Sequence, residues 1–142
     1  MMKYFSIGEL VKSETAARLR INNNPSEQIE RNLKEFIETI LDPIREAWGR
    51  PIYVNSGYRC PRLNSAVGGA RYSGHMYGWC ADLRVKDRSI REFAEFIKGW
   101  MKKNGYAWEE ILFESSGGVQ WVHFAWKGYG GRQRMKSFDI VK

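Results

Sequence analysis

Two histidines and one aspartate are the residues of this chain whose types best suit metal chemistry. His75 lies in a glycine-rich segment, and His123 lies in the middle of an aromatic run. Asp82 lies within an apolar run, where a carboxylate is costly unless it is paired or bound to a cation. A catalytic zinc ion takes three protein ligands of these kinds and keeps a fourth position open. The spacing alone is a weak signal, because such residues also occur as packed core or surface side chains.

The elements that must position these three residues are strands and one long loop. Four segments are predicted to be strands: 52–55, 81–85, 111–114 and 119–126. The last two are expected to form a hairpin through residues 115–118. Residues 56–79 are rich in glycine, serine, arginine and tyrosine and show no period, which indicates either a functional loop or an element that the pattern does not reveal. A loop histidine and two strand residues could therefore supply three ligands to one ion.

Helical spacing of apolar residues dominates the first part of the chain. Residues 4–20 predict a short helix with a further turn or two, and residues 26–49 predict a long helix that Pro43 kinks or restarts. Residues 89–105 predict another helix. A basic segment, 130–136, leads to a last short strand. Helices first and strands later predict an α+β domain, a small antiparallel sheet with helices packed on one side.

Length and composition are those of one globular domain over residues 1–142. Apolar residues make up 43% of the chain and charged residues 27%, which excludes a disordered or collagen-like chain. We expect no membrane span and, from the N-terminal residues, no signal peptide, so synthesis in the cytoplasm is predicted. The formal charge of +7 favours polyanionic partners such as nucleic acid, anionic lipid or the acidic polymers of a bacterial wall.

Four motifs stand in order along the chain: Val54–Pro61, Leu63–Ala70, Ser73-x-His75-x-x-Gly78-x-x-Ala81-Asp82, and Trp121-Val122-His123. Together they resemble the zinc D-Ala-D-Ala carboxypeptidase family, which also contains bacteriophage L-alanyl-D-glutamate endolysins and shares its fold with the hedgehog signalling domain. The opening Tyr4-Phe5-Ser6-Ile7 and the closing Gly131-Arg132-Gln133 resemble the phage and prophage branch. The resemblance implies a hedgehog-like zinc peptidase fold.

The resemblance also implies roles for individual residues. One zinc ion per chain would be held by His75, Asp82 and His123. Arg59 would point into the cleft and hold a substrate carbonyl or carboxylate as negative charge develops. Ser56 and Ser73 match polar positions of the same motifs and are expected to orient ligands or substrate.

A hydrolase of this kind also needs a base for water and an acid for the leaving amine. The resemblance places that glutamate at Glu114, with Glu110 as the reserve candidate on the same strand face. A loop of residues 115–118 would put Glu110 opposite His123. Glu114 would reach the metal only if the loop took in about residues 115–120. We favour Glu114.

Two positions depart from the pattern of the family. Some relatives carry a glutamate where this chain has Gln120, which cannot serve as a base. Cys80 stands where a small or polar residue is expected, and we predict that it packs as a buried thiol. With no export signal expected, Cys60 and Cys80 are predicted to be free thiols rather than a disulfide.

The leading functional hypothesis is a zinc peptidase that hydrolyses peptidoglycan stem peptides, as a D-Ala-D-Ala carboxypeptidase or an endolysin-type endopeptidase. We expect a monomer that acts at the bacterial cell wall after phage-mediated release. One alternative is a catalytically inactive, zinc-containing module that binds or recognises the cell wall. Another is a basic nucleic-acid binder with aromatic and basic residues interleaved near 126–138, but no nucleic-acid motif accompanies them, so no specific nucleic acid is expected.

Overall fold

A five-stranded sheet and six α-helices make up the described part of the chain, residues 2–142 of a computed structural model. The helices are α1 (Ile7–Val11), α2 (Glu14–Arg18), α3 (Glu27–Phe36), α4 (Asp42–Trp48), α5 (Pro61–Ala66) and α6 (Ile90–Lys103). The strands are β1 (Tyr53–Ser56), β2 (Cys80–Arg84), β3 (Glu110–Ser116), β4 (Val119–Ala125) and β5 (Asp139–Val141). A π-helical turn, Ile37–Leu41, joins α3 to α4, and a 3₁₀ turn, Gly74–Tyr77, precedes β2.

The sheet has the order β1-β2-β4-β3-β5, with antiparallel pairing throughout except for β5, which runs parallel to β3. The predicted α+β class is confirmed. One face of the sheet carries large apolar side chains, including Phe113, Val122 and Phe124, which join the core with α3 and α6. Phe36 of α3 meets Phe124 edge to face, with ring centroids 5.6 Å apart. The opposite face is therefore left for polar side chains.

The long helical segment follows the sequence pattern closely. The Ser26 hydroxyl accepts a hydrogen bond from the backbone amide of Ile29 and caps α3. Pro43 does not interrupt the helix, because the π turn before it pairs the Asp42 amide with the Ile37 carbonyl and so accommodates a residue that has no amide proton. Gly49 ends α4 with a φ of 78°.

The segment 56–79 is more regular than its composition suggests. It holds α5 and the 3₁₀ turn, each too short to show an apolar period. Pro61 begins α5, where its fixed φ suits a first helical position, and the Cys60 sulfur accepts from the Leu63 amide.

The hairpin of β3 and β4 differs from both predicted arrangements. Its turn is Gly117-Gly118, both with positive φ, as a two-residue type I′ turn requires. The strands consequently extend through residues 115 and 116, and Leu112 lies opposite His123. The expectation that residues 115–118 or 115–120 form the loop was wrong, and Glu110 pairs with Ala125, not with His123.

No helix among residues 2–142 is long and apolar enough to cross a membrane.

Candidate metal centre and cleft

The structure brings His75, Asp82 and His123 together on the polar face of the sheet. Asp82 of β2 lies directly opposite His123 of β4, so both side chains point to the same side. One ligand atom from each of the three residues lies within 4.8 Å of the others. The Asp82 Oδ1 atom is 2.9 Å from His123 Nδ1 and 3.4 Å from His75 Nε2.

The 3₁₀ turn that carries His75 is fixed by its two ends. At the start, the Ser73 hydroxyl accepts from the His75 amide, so Ser73 shapes the turn that presents the histidine. At the end, Gly78 has a φ of 79°, and a Cβ there would lie 3.2 Å from atoms of Ile29 and Leu33. The His75 carbonyl also accepts from the Arg59 amide at 3.0 Å, which ties the turn to the segment after β1.

The hydrogen bonds of His75 assign its tautomer. Its Nδ1 lies 2.7 Å from the Gly57 carbonyl oxygen, which can only accept, so Nδ1 carries the proton. Nε2 then presents a lone pair, and it is buried with no hydrogen-bond partner. The nearest charged atom is the Asp82 oxygen, which is also an acceptor. His75 Nε2 is the unsatisfied atom of this pair, because Asp82 Oδ1 also accepts from His123 Nδ1, and a cation bound between them would give Nε2 a partner.

His123 is held between two carboxylates. Its Nδ1 faces Asp82, and its Nε2 lies 3.1 Å from Glu110 Oε1. Burial alone lowers the pKa of His123, but the interactions with Asp82, Cys80 and Glu110 outweigh burial and raise it well above its usual range. The hydrogen bonds with His123 lower the pKa of Asp82, against its burial, and that of Glu110. A metal at Nδ1 would replace a proton, while Glu110 would keep hold of Nε2.

The two candidate glutamates flank His123 diagonally and have different partners. Glu110 is engaged with the imidazole, as a carboxylate that orients a ligating histidine would be. Glu114, opposite Trp121, accepts a hydrogen bond from the indole Nε1 at 3.1 Å. Both line a cleft of about 870 Å³ that also contains the His75, Asp82 and His123 cluster.

Arg59 lies in the wall of the same cleft. Burial lowers the pKa of its guanidinium group, and the nearby charges of Asp82 and Glu114 oppose that shift. Its buried Nε atom has no hydrogen-bond partner within the described residues. The side chain is thus a half-buried cation with a donor available to a ligand in the cleft.

The remaining predictions from the sequence concern the position of Ser56 and the state of the two cysteines. Ser56 lies opposite Asp82 in the β1–β2 pairing, but it lines a neighbouring groove and not the metal cleft. Cys60 and Cys80 are free thiols, as predicted. Cys80 is fully buried beside His123, and burial raises the pKa of its thiol.

Sequence reasoning missed Glu109, which is buried under the rim of the cleft. Its carboxylate accepts from the backbone amide and the guanidinium of Arg134, and Lys127 Nζ lies 3.4 Å away. These contacts hold the basic segment before β5 against the cleft. Two adjacent glutamates, Glu109 and Glu110, do not indicate from the sequence that the first is buried. Burial of the Glu109 charge is tolerable only because the Arg134 segment pairs with it.

The comparisons with known proteins agree with this geometry. The sequence model of the family described as Peptidase M15 matches residues 3–113, well over half of the chain. The chain belongs to the peptidase M15 family of zinc peptidases. The family match includes His75 and Asp82 and ends just before Glu114. Glu114 and His123 therefore lie beyond the matched segment, and the fold brings His123 to His75 and Asp82.

A zinc D-Ala-D-Ala carboxypeptidase from Streptomyces albus G is 54% identical to this chain over 56 residues. The matched part is 39% of this chain and 22% of the length of that relative.

Zinc is the cofactor that the family indicates, and the residues present fit it. Two imidazole nitrogens and one carboxylate oxygen are the kind of donor set that catalytic zinc sites use, with a fourth position left to water or substrate. The orphaned Nε2 of His75 and its Asp82 neighbour provide the reason for a cation in this chain specifically.

Proposed function

We propose that the chain is a zinc-dependent peptidase that hydrolyses peptide bonds in the stem peptides of peptidoglycan. His75 Nε2, Asp82 Oδ1 and His123 Nδ1 are the metal-facing atoms. The observation that carries the proposal is the buried lone pair of His75 Nε2, which faces an acceptor of Asp82 within a cleft large enough for a peptide. When bound, zinc lowers the pKa of a water ligand and polarises a substrate carbonyl.

Glu114 acts as the general base and later as the acid. It lies on the same sheet face as His123, and its carboxylate is not the one that orients the imidazole. The Trp121 indole steadies one Glu114 oxygen. Glu110 has the positioning role, because it accepts from His123 Nε2 and so fixes the direction of Nδ1.

Arg59 binds negative charge on the substrate. Its unpartnered buried Nε and its place in the cleft wall suit a carbonyl oxygen that gains charge, or a carboxylate of the peptide. Ser73 acts indirectly, through the turn that presents His75. Ser56 lines the neighbouring groove, and its role in substrate binding is assigned to that position.

Residues 1–142 form one catalytic domain, which acts as a monomer on the bacterial wall in the manner of an endolysin. The net charge of +7 supports attraction to an anionic wall. Release by a phage mechanism belongs to the same proposal and rests on the resemblance to the phage branch.

The test is digestion of purified peptidoglycan followed by mass spectrometry of the fragments. Wild type, wild type with chelator, Glu114→Gln and the surface control Glu46→Gln are compared, with zinc content measured for each. New amines that disappear with chelator and with Glu114→Gln, but not with Glu46→Gln, support the proposal. The fragment masses name the bond. A chain that binds zinc and wall but releases no fragment would be a recognition module instead.

A further inference from the structure

A second groove, of about 720 Å³, runs along the edge strand β1. All four residues of β1, Tyr53–Ser56, line it. Successive side chains of a strand point to opposite faces of a sheet. A groove lined by four consecutive strand residues and by Arg84 of β2 therefore takes in the edge of β1 together with part of the adjoining sheet face.

This edge of the sheet is positioned to accept another strand. In the sheet formed by the described residues, β1 is terminal and pairs with β2. The far wall of the groove comes from α1, α2 and the link between them, including Lys12, Glu14 and Thr15. An edge strand presents unpaired amide and carbonyl groups, which are a template for an extended peptide.

The β1 groove is adjacent to the metal cleft. Arg59 and Val67 line both spaces. Ser56 at the end of β1 lies opposite the metal-facing Asp82. A chain that leaves the metal centre past Arg59 therefore enters the β1 groove directly.

The charges of the groove are mixed in sign. Glu9 and Glu14 stand in its walls together with Lys12 and Arg84. Such a groove complements a peptide that carries both amino and carboxylate groups. A uniformly anionic polymer such as a nucleic acid would meet the two glutamates unfavourably.

We infer that the β1 groove is a substrate subsite, in which the peptide on one side of the scissile bond lies as an added strand on the edge of β1. The inference rests on the proposed function and extends it, since it makes the substrate an extended peptide rather than a short one. Strands rise about 3.3 Å per residue, so the four residues of β1 give room for roughly three or four substrate residues.

The first test uses the metal-free wild-type chain and two synthetic stem peptides. The short peptide spans only the scissile bond, and the extended peptide continues beyond it. The extended peptide is expected to slow amide hydrogen exchange within residues 53–56, because edge amides gain partners, and the short peptide is not. Binding of the extended peptide without any slowing in β1 would overturn the inference.

The second test uses cleavage by the zinc-loaded chain. Lys12→Glu and Thr15→Trp, which alter the far wall, are expected to raise KM for the extended peptide by about tenfold, because the first reverses a charge in the groove and the second fills part of it. Neither should change kcat or cleavage of the short peptide. Lys34→Glu, an exposed lysine that lines neither space, is the matched control. Circular dichroism confirms folding of each variant.

The outcomes separate this inference from the proposed function. Equal effects of the wall variants on both peptides, or no effect on either, would overturn the subsite while leaving the peptidase intact. Failure of the wild type to cleave either peptide would defeat the proposed function, and the exchange measurement would then decide alone whether the groove binds a peptide.

Discussion

Changing each of the two glutamates that flank His123 to glutamine is expected to impair a different property of the protein, zinc affinity in one case and kcat in the other. Glu110 accepts from His123 Nε2 at 3.1 Å, and Glu110→Gln removes the charge that supports the imidazole. Loss of such an outer carboxylate costs about 10- to 100-fold in metal affinity, or about 1.4 to 2.7 kcal/mol. At saturating zinc, most of kcat should return. Glu114→Gln should leave zinc affinity unchanged and lower kcat by roughly 100- to 10,000-fold, the range for loss of a general base.

Competition with a fluorescent zinc chelator measures the affinity, and turnover of a stem peptide across a zinc titration measures kcat. Each variant is the control for the other. A variant that had lost its fold would show both a lower zinc affinity and a lower kcat at saturating zinc. The reverse pattern would refute the assignment. In that pattern Glu110→Gln would bind zinc with full affinity but have no activity, and Glu114→Gln would regain kcat at saturating zinc. Glu110 would then be the base, and its contact with His123 would be a resting arrangement only.

Four further outcomes follow from the structure. Because the pKa of His123 is raised in the folded state, protonation of His123 stabilises the metal-free fold. This stability is fully present below about pH 6.5, the ordinary pKa of histidine, and is lost as the pH rises through the raised value. Chemical denaturation at several pH values should show the loss. Zinc binding near pH 7 should release a proton, seen by calorimetry in buffers of different ionisation enthalpy. Gly78→Ala should cost about 1 to 3 kcal/mol of stability, because its φ is positive and Ile29 and Leu33 crowd the Cβ; thermal melts measure this. Glu109→Gln should loosen the Arg134 segment, with faster amide exchange there and about 1 to 3 kcal/mol less stability.

Local features of the fold could be predicted from sequence because they depend on neighbouring residues. The long helix begins after Ser26 and ends at Gly49 as its capping residues indicate, and the free thiols were predicted correctly. The three metal-facing residues were identified from residue type and from a resemblance carried by ordered motifs, and the fold places them within reach of one ion. Pro43 shows the limit of such local prediction. Its presence predicts a kink or a restart of the helix, but a π-helical turn accommodates the proline and the helix continues without a break.

The different hydrogen-bond partners of Glu110 and Glu114 depend on the tertiary structure. Both residues have the same chemistry and the same strand parity, so only the hairpin register separates them. That register depends on whether the turn takes two residues or more, and the positive φ values of Gly117 and Gly118 permit the shortest one. The β1 groove likewise exists only because strand order leaves β1 at an edge beside α1 and α2. Residue types in the sequence indicate which side chains can do chemistry. Which of them meet depends on long-range pairing, because strand order and register are properties of contacts between distant segments.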